Sequence, residues 1–259
     1  MSIADGPERR PFTARVYCFA HAGGSAGEFR TWADLADLAD DADAADDVRI
    51  VGVERPGRGS RFGEPASRDL LGLAAELAGS LALDLPFSLF GHSFGALLAF
   101  EIAHVLRARG LRTPDRLWLS SFPSPDLPRH EPEVRHLPDA ELLWTLQGRH
   151  DGIPAEVLES PELLEIVATY MRADYAAMET YRFQDREPLP CALDVLAGTD
   201  EHDLHDRLAG WEKHATGGFS TRFLPGGHFY LRHPDNRRHL VQAMRDAVMT
   251  IVPTPGVEQ

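Results

Sequence analysis

The pentapeptide Gly91-His92-Ser93-Phe94-Gly95 is the sequence feature that most restricts how this chain folds. It follows the apolar run Phe87–Phe90 and precedes a helical pattern that begins at Ala96. A Gly-x-Ser-x-Gly turn between a strand and a helix strains the backbone of its serine and holds the hydroxyl out at the helix N-terminus. The spacing therefore predicts a strand–turn–helix unit that presents Ser93 as a nucleophile. The alternative is a purely structural turn, because glycine and serine are common in loops.

Apolar, β-branched or aromatic runs alternate with helical patterns along most of the chain. The predicted strands are Arg15–Ala20, Val48–Glu54, Phe87–Phe90, Arg116–Ser120, Ala192–Ala197 and Ser220–Leu224. The predicted helices lie near Ala26–Leu38, Arg68–Leu83, Ala96–Arg109, Leu204–His214 and Asp235–Ile251. Strands that alternate with helices pair in parallel through right-handed crossovers, which predicts an α/β fold with helices on both faces of the sheet.

The segment from about 123 to 181 breaks this alternation. It starts with several prolines and then shows helical patterns near Pro138–Leu146 and Pro161–Tyr181, without a convincing strand. We therefore expect one domain over residues 1–259, with a helical lid inserted at about 123–181 between two strands of the sheet.

A serine hydroxyl needs a base to take its proton and an acid to orient that base. In folds with this turn the chain order is serine, acid, histidine. His228 follows the last predicted strand within Leu224-Pro-Gly-Gly-His-Phe-Tyr, and we expect it to be the base. The acid should follow the strand Ala192–Ala197, where Asp200 is our choice and Glu201 and Asp203 compete with it.

The turn His21-Ala22-Gly23-Gly24 follows the first predicted strand. A His-x-Gly-Gly turn at that place supplies one backbone N–H of an oxyanion hole, and the residue after the serine supplies the other. We therefore expect the amides of Ala22 and Phe94 to be the donors. The alternative is a glycine-rich loop shaped only for packing.

Composition excludes several other classes of function. Lys+Arg number 26 and Asp+Glu 40, for a net charge of −14, which argues against binding to nucleic acid. No apolar run is long enough for a membrane helix, and the only lysine, Lys213, follows no phosphate-binding loop. The cluster Glu201, His202, Asp203 and His205 resembles metal ligands, but a solvated helix start with acidic residues explains it equally well, and we expect neither a metal nor another cofactor.

Taken together, the motifs resemble those of the type II thioesterases that accompany polyketide and nonribosomal peptide synthases. The matching segments are Cys18–Gly24, Arg55–Arg61, Gly91–Gly95, Met171–Tyr175 with Tyr181, and Pro225–Tyr230. The chain departs from the family pattern at Ala20, where proline is usual, and at Asp151–Pro154, where Gly-Gly-x-Pro is common. The family's acid often lies three residues after the strand-end glycine, which here is Glu201 rather than Asp200.

The resemblance implies an α/β-hydrolase that removes acyl groups from the phosphopantetheine arm of acyl or peptidyl carrier proteins. A carboxylester hydrolase or an acyltransferase with the same triad remains an alternative, as does a non-catalytic receptor with this fold. The N-terminus lacks the apolar core of a signal peptide, so we expect a cytoplasmic protein, and we expect a monomer.

An acidic enzyme needs local positive charge to receive an acidic carrier protein. The candidates are Arg55, Arg58 and Arg61 after the second strand, and Arg129, Arg135 and Arg149 in the predicted lid. Alternatively, Arg55 and Arg58 brace the sheet edge through carboxylates such as Glu54.

Overall fold

The computed structural model describes residues 12–37, 48–150 and 152–249. Six strands form one sheet in the order β2-β1-β3-β4-β5-β6, and every neighbouring pair is parallel. The strands are β1 (Ala14–Phe19), β2 (Val48–Gly52), β3 (Phe87–His92), β4 (Arg116–Ser120), β5 (Ala192–Gly198) and β6 (Phe219–Leu224). The predicted parallel α/β sheet is confirmed.

Helices cover both faces of this sheet in the part of the chain that the structure describes. They are α1 (Arg30–Asp37), α2 (Leu70–Ser80), α3 (Phe94–Ala108), α4 (Asp139–His150), α5 (Ala155–Glu159), α6 (Pro161–Thr180), α7 (His202–Leu208) and α8 (Pro234–Met249). Side chains of β1 alternate between the two faces: Val16 and Cys18 pack in the core with α1 and α8, and Tyr17 and Phe19 pack in the core with α2 and α3. This alternation follows from the two-residue period of a strand.

Most predicted elements are present, with shifted ends. The helix after the pentapeptide begins at Phe94, two residues before the predicted start, so that Ser93 occupies its N-cap position without a capping hydrogen bond. The predicted helix Leu204–His214 is wrong in its second half, where α7 gives way to the tighter 3₁₀ turn Ala209–His214. Residues 38 and 250–251, at the ends of two predicted helices, lie outside the described residues.

Three helices, α4, α5 and α6, lie between β4 and β5, and we call them the helical insert. The described residues of this segment contain no strand of the sheet, as predicted. Pro161 opens α6, and the Ser160 hydroxyl caps it by accepting the N–H of Leu163 at 3.3 Å. Short α5 has no counterpart among the predicted helices.

The strand order determines where functional side chains meet. Strands β3, β4 and β5 are neighbours and parallel, so the loops at their carboxyl ends lie together at one edge of the sheet. β6 pairs with β5 and brings the loop that contains His228 to the same edge. Ligands of open α/β sheets bind at such an edge.

Candidate active site

Ser93 lies in the sharp turn between β3 and α3. Its backbone has φ 55° and ψ −119°, a left-handed conformation that is strained for a residue with a side chain. The flanking glycines are needed because the chain segments approach closely: a Cβ on Gly91 would lie 2.0 Å from the Gly95 oxygen, and one on Gly95 would lie 2.1 Å from the Phe19 oxygen. The predicted strand–turn–helix geometry at Ser93 is confirmed.

His228 is held by a carboxylate through one nitrogen of its ring. His228 Nδ1 lies 2.7 Å from Glu201 Oε1. Glu201 Oε2 also accepts the Ser121 hydroxyl at 2.6 Å and the Gly198 N–H at 2.8 Å. Burial of Glu201 opposes its ionisation, but the hydrogen bonds from His228, Ser121 and Gly198 outweigh burial and lower its pKa. An ionised Glu201 fixes the proton of His228 on Nδ1 and leaves Nε2 free to accept a proton.

Asp200 does not contact His228, so the prediction that Asp200 holds this histidine is wrong for this contact. The Asp200 side chain is exposed and accepts a hydrogen bond from its neighbour Thr199 at 3.1 Å. The chain turns after β5, where the Glu201 N–H donates to the Gly198 oxygen. This turn brings the side chain of Glu201 back over the end of β5, and that of Asp200 faces outward.

Ser121 is a site residue that the sequence analysis missed. It follows β4 with φ 51°, the same left-handed strain as Ser93, and its hydroxyl orients Glu201. Its place at the carboxyl end of a strand next to β3 and β5 is the one signal that could have pointed to it.

A cavity of about 1350 Å³ opens beside Ser93 and His228. Its wall includes apolar side chains such as Leu97 and Phe122, and the exposed Asp200. A second, small cavity of about 40 Å³ lies between the insert and the turn after β1, and Ala22, Ser93 and His228 border it. Ser93 and His228 therefore face shared space, although the Ser93 hydroxyl makes no hydrogen bond among the described residues.

Of the two predicted oxyanion donors, Phe94 directly follows the serine, and Ala22 borders the small cavity that Ser93 also borders. Phe94 is the first residue of α3, where backbone N–H groups have no partner within the helix. Ala22 follows β1 in a turn closed by the Gly24 N–H, which donates to the His21 oxygen at 3.0 Å. Apart from bonds within helices and strands, neither the Ala22 N–H nor the Phe94 N–H donates a backbone hydrogen bond among the described residues.

His150, the last residue of α4, stacks on His228. The ring centroids are 4.1 Å apart and the planes differ by 25°. Burial, together with the neighbouring His228, lowers the pKa of His150 to about 4, so its ring is neutral at pH 7. His150 falls within the predicted lid at about 123–181, but no motif in the sequence predicts this contact.

The arginines predicted to receive a carrier protein differ in their exposure and in their ion-pair partners. Arg55 and Arg58 are only 2% and 4% exposed, so the prediction that they meet a partner is wrong for both. Both bind the buried Asp174 of α6, not Glu54. Arg61 is partly exposed and pairs with Glu64 and Glu76.

Among the arginines of the predicted lid, Arg135 pairs with Glu133 and Glu179, and Arg149 pairs with Glu131. Arg129 is exposed at the large cavity and has no ion pair among the described residues.

Two of the four residues that resembled metal ligands have other partners. Glu201 binds His228, and His205 Nε2 lies 2.9 Å from the Gly198 oxygen. No group of side chains suited to a metal ion occurs within residues 12–37, 48–150 and 152–249. None of the helices found in those ranges is long and apolar enough to cross a membrane.

Known proteins with similar sequences and structures include several thioesterases. The family model described as thioesterase domain matches residues 14–248. Linear gramicidin dehydrogenase LgrE of Brevibacillus parabrevis is 35% identical over 222 residues, which are 83% of this chain and 81% of LgrE.

Two solved structures carry the same fold. The RedJ thioesterase of the prodiginine pathway in Streptomyces coelicolor is 30% identical with a TM-score of 0.80, covering 95% of this chain and 91% of RedJ. The type II thioesterase BorB of the borrelidin biosynthetic cluster is 32% identical with a TM-score of 0.77, covering 91% and 93%.

Proposed function

Because the chain belongs to the thioesterase family and is a hydrolase of thioester bonds, we propose that it works through an acyl-enzyme on Ser93. His228 is the general base and Glu201 orients it. The single observation that carries this assignment is the Glu201–His228 pair of 2.7 Å, which faces the same cavity as the strained Ser93. In this proposal Glu201 takes the role that the sequence analysis gave to Asp200.

The reaction then has two halves. Ser93 Oγ attacks the thioester carbonyl carbon as His228 Nε2 takes the hydroxyl proton, and the amides of Ala22 and Phe94 bind the oxyanion. The carbon–sulfur bond breaks, and the thiol leaves with the proton from His228. In the second half His228 deprotonates water, which attacks the acyl-enzyme and releases a carboxylic acid and Ser93. Catalytic hydrogen bonds often tighten only when substrate binds, which fits the unbonded Ser93 hydroxyl.

We propose carrier-protein phosphopantetheine as the thiol side of the substrate. The likeness to type II thioesterases of biosynthetic clusters supports this choice, and so does a cavity large enough for an acyl chain with its arm. The chain would clear stalled or mis-primed acyl groups, needs no cofactor for the steps above, and would act as a monomer in the cytoplasm.

The helical insert acts as a lid in this proposal. Leu146 and Met171 of the insert border the small cavity beside Ser93, and His150 covers the ring of His228. Closure would exclude bulk water from the acyl-enzyme.

The name of the Brevibacillus relative indicates a dehydrogenase, which would use a nicotinamide cofactor. The turn after β1 does not have the sequence of a dinucleotide-binding loop. The turn after β1 reads His21-Ala22-Gly23-Gly24 and lacks the Gly-x-Gly-x-x-Gly spacing of dinucleotide-binding loops.

The test compares one acyl group on three leaving groups: a carrier protein, N-acetylcysteamine and a simple alcohol. We expect kcat/KM to be highest for the acyl-carrier protein, lower for the N-acetylcysteamine thioester and lowest for the oxygen ester. Equal rates on ester and thioesters would favour a carboxylester hydrolase. Transfer of the acyl group to an added amine or alcohol in preference to water would favour an acyltransferase, and no turnover of any substrate would favour a receptor.

A further inference from the structure

Three charged side chains form a buried cluster beneath the turn after β1. Arg55 and Arg58 come from the loop after β2, and Asp174 comes from α6 of the insert. Arg58 binds both oxygens of Asp174, at 2.6 and 2.9 Å, and Arg55 Nη1 lies 3.2 Å from Asp174 Oδ2. Burial opposes the ionisation of Asp174, but the charges of Arg55 and Arg58 outweigh burial and lower its pKa. Burial also lowers the pKa of Arg55 to about 10, which leaves it charged at pH 7.

The cluster fixes both peptide planes that flank Ala22. Arg55 Nη2 donates to the His21 oxygen at 2.7 Å and to the Gly24 oxygen at 3.0 Å. In a trans peptide the carbonyl oxygen and the next N–H point in opposite directions, so holding the His21 oxygen aims the Ala22 N–H the other way. The following plane is held because the Gly23 N–H donates to Asp174 Oδ2 at 2.8 Å.

The same cluster also reaches the second proposed donor. The Arg55 guanidinium lies over the ring of Phe94, 4.6 Å from its centroid. Phe94 carries the other amide of the proposed oxyanion hole. One buried guanidinium therefore contacts the carbonyl of the His21–Ala22 peptide and the side chain of Phe94.

We propose that the Arg55–Arg58–Asp174 cluster positions the two oxyanion donors, so that α6 of the insert completes the catalytic site. This inference rests on the proposed roles of Ala22 and Phe94. The three residues are positioning residues, because they act through the backbone and not on the substrate. Loss of the Asp174 charge weakens the acceptor of the Gly23 N–H and leaves two buried guanidiniums without their shared counter-ion, so that the His21–Ala22 peptide can rotate away.

The test is Asp174→Asn, which keeps the volume and removes the charge. The substrate is an acyl N-acetylcysteamine thioester, so carrier binding does not enter. We expect kcat per fluorophosphonate-titrated site to fall about 10- to 100-fold, below the full loss of an oxyanion donor, with KM within about threefold of wild type. The control is Asp139→Asn, which removes the partly exposed ion pair between Asp139 and Arg172 of the same helix α6 and is expected to keep kcat within about twofold.

A second measurement separates positioning from a loss of folded protein. Butylboronic acid adds to the serine oxygen and places a negative oxygen in the proposed hole, so its Ki should rise by the same factor as kcat falls. A wild-type kcat per titrated site and a wild-type Ki in Asp174→Asn would overturn the proposal.

If Asp174→Asn does not fold, Arg58→Lys is the second variant. It keeps the buried positive charge and leaves Asp174 bonded to Gly23, and we expect a loss of about 3- to 10-fold in kcat matched by the boronate Ki. Wild-type values for both would overturn the proposal. Failure of the proposed function would look different, because the wild-type enzyme would then lack thioesterase activity that depends on Ser93.

Discussion

The sheet edge and the helical insert both contribute to the candidate site, but they hold their residues in different ways. At the sheet edge Ser93, Glu201 and His228 follow β3, β5 and β6, and short turns with close backbone contacts fix their positions. In the insert His150 and Asp174 reach the site from helices, through packing and ion pairing over long stretches of chain. Residues of the first kind leave a local pattern in the sequence, and residues of the second kind do not.

The largest expected effect is at the sheet edge. Ser93→Ala should lower kcat on a thioester by at least about 10⁴, because the acyl-enzyme can no longer form. Labelling by a fluorophosphonate should disappear as well. The matched control is Ser121→Ala, the other strained serine of the site, which should keep the label. A label that survives Ser93→Ala would place the nucleophile elsewhere.

The next largest effect separates two neighbouring carboxylates. Glu201→Gln should lower kcat by up to about 10⁴, because His228 loses the acceptor that fixes its tautomer. Asp200→Asn should stay within about twofold, since that side chain is exposed and, among the described residues, hydrogen-bonds Thr199 alone. The measurement is the kcat of both variants on one thioester. A larger loss for Asp200→Asn than for Glu201→Gln would show that Asp200 is the acid that orients His228.

A smaller effect is expected in the insert. His150→Ala should lower kcat/KM by about 3- to 10-fold, because the ring that covers His228 is lost. His150→Phe keeps a stacked ring and should remain close to wild type. Equal activity of the Ala variant would show that α4 makes no contribution to the base.

The same position predicts a pH dependence of stability. An unfolded histidine binds its proton near pH 6.5, and folded His150 binds it near pH 4. Folding therefore loses stability as the pH falls from about 6.5 to about 4, since only the unfolded chain takes up that proton in this range. The Tm of His150→Phe should therefore decrease less between pH 7 and pH 5 than the Tm of the wild type does. Identical losses would contradict a neutral, partly buried His150.

The smallest effect concerns motion within the insert. Hydrogen exchange should be faster in α4 and α5 than in β3, and it should slow when an alkyl phosphonate occupies Ser93. The C-terminal half of α6, where residues 173–179 are buried, should stay protected in both states. Uniform protection of all three helices would mean that the insert does not act as a lid.

The sequence predicted those parts of the fold and the site that depend on local geometry. The strand–turn–helix around Ser93 needs glycines where backbones touch, and the glycines before His228 mark its loop. The choice between Asp200 and Glu201 depended on the direction of one turn, which residue type alone does not reveal. In the sequence Arg55 and Arg58 resemble surface charges. Their burial depends on the ion pairs with Asp174, which is too far along the chain for a local pattern to predict.

The bond between Gly23 and Asp174 also has a consequence for the order of folding. It closes a separation of 151 residues, and Arg58 and Asp174 are 116 residues apart. Closing such long loops costs entropy, which is offset only when α6 packs against the sheet. The strand–turn–helix at Ser93, by contrast, forms from neighbouring residues. During synthesis the nucleophile is thus complete long before the turn at Ala22 is clamped. We expect a nascent chain to acquire full hydrolytic activity only after the insert has docked and the later loops that contain Glu201 and His228 have also been made.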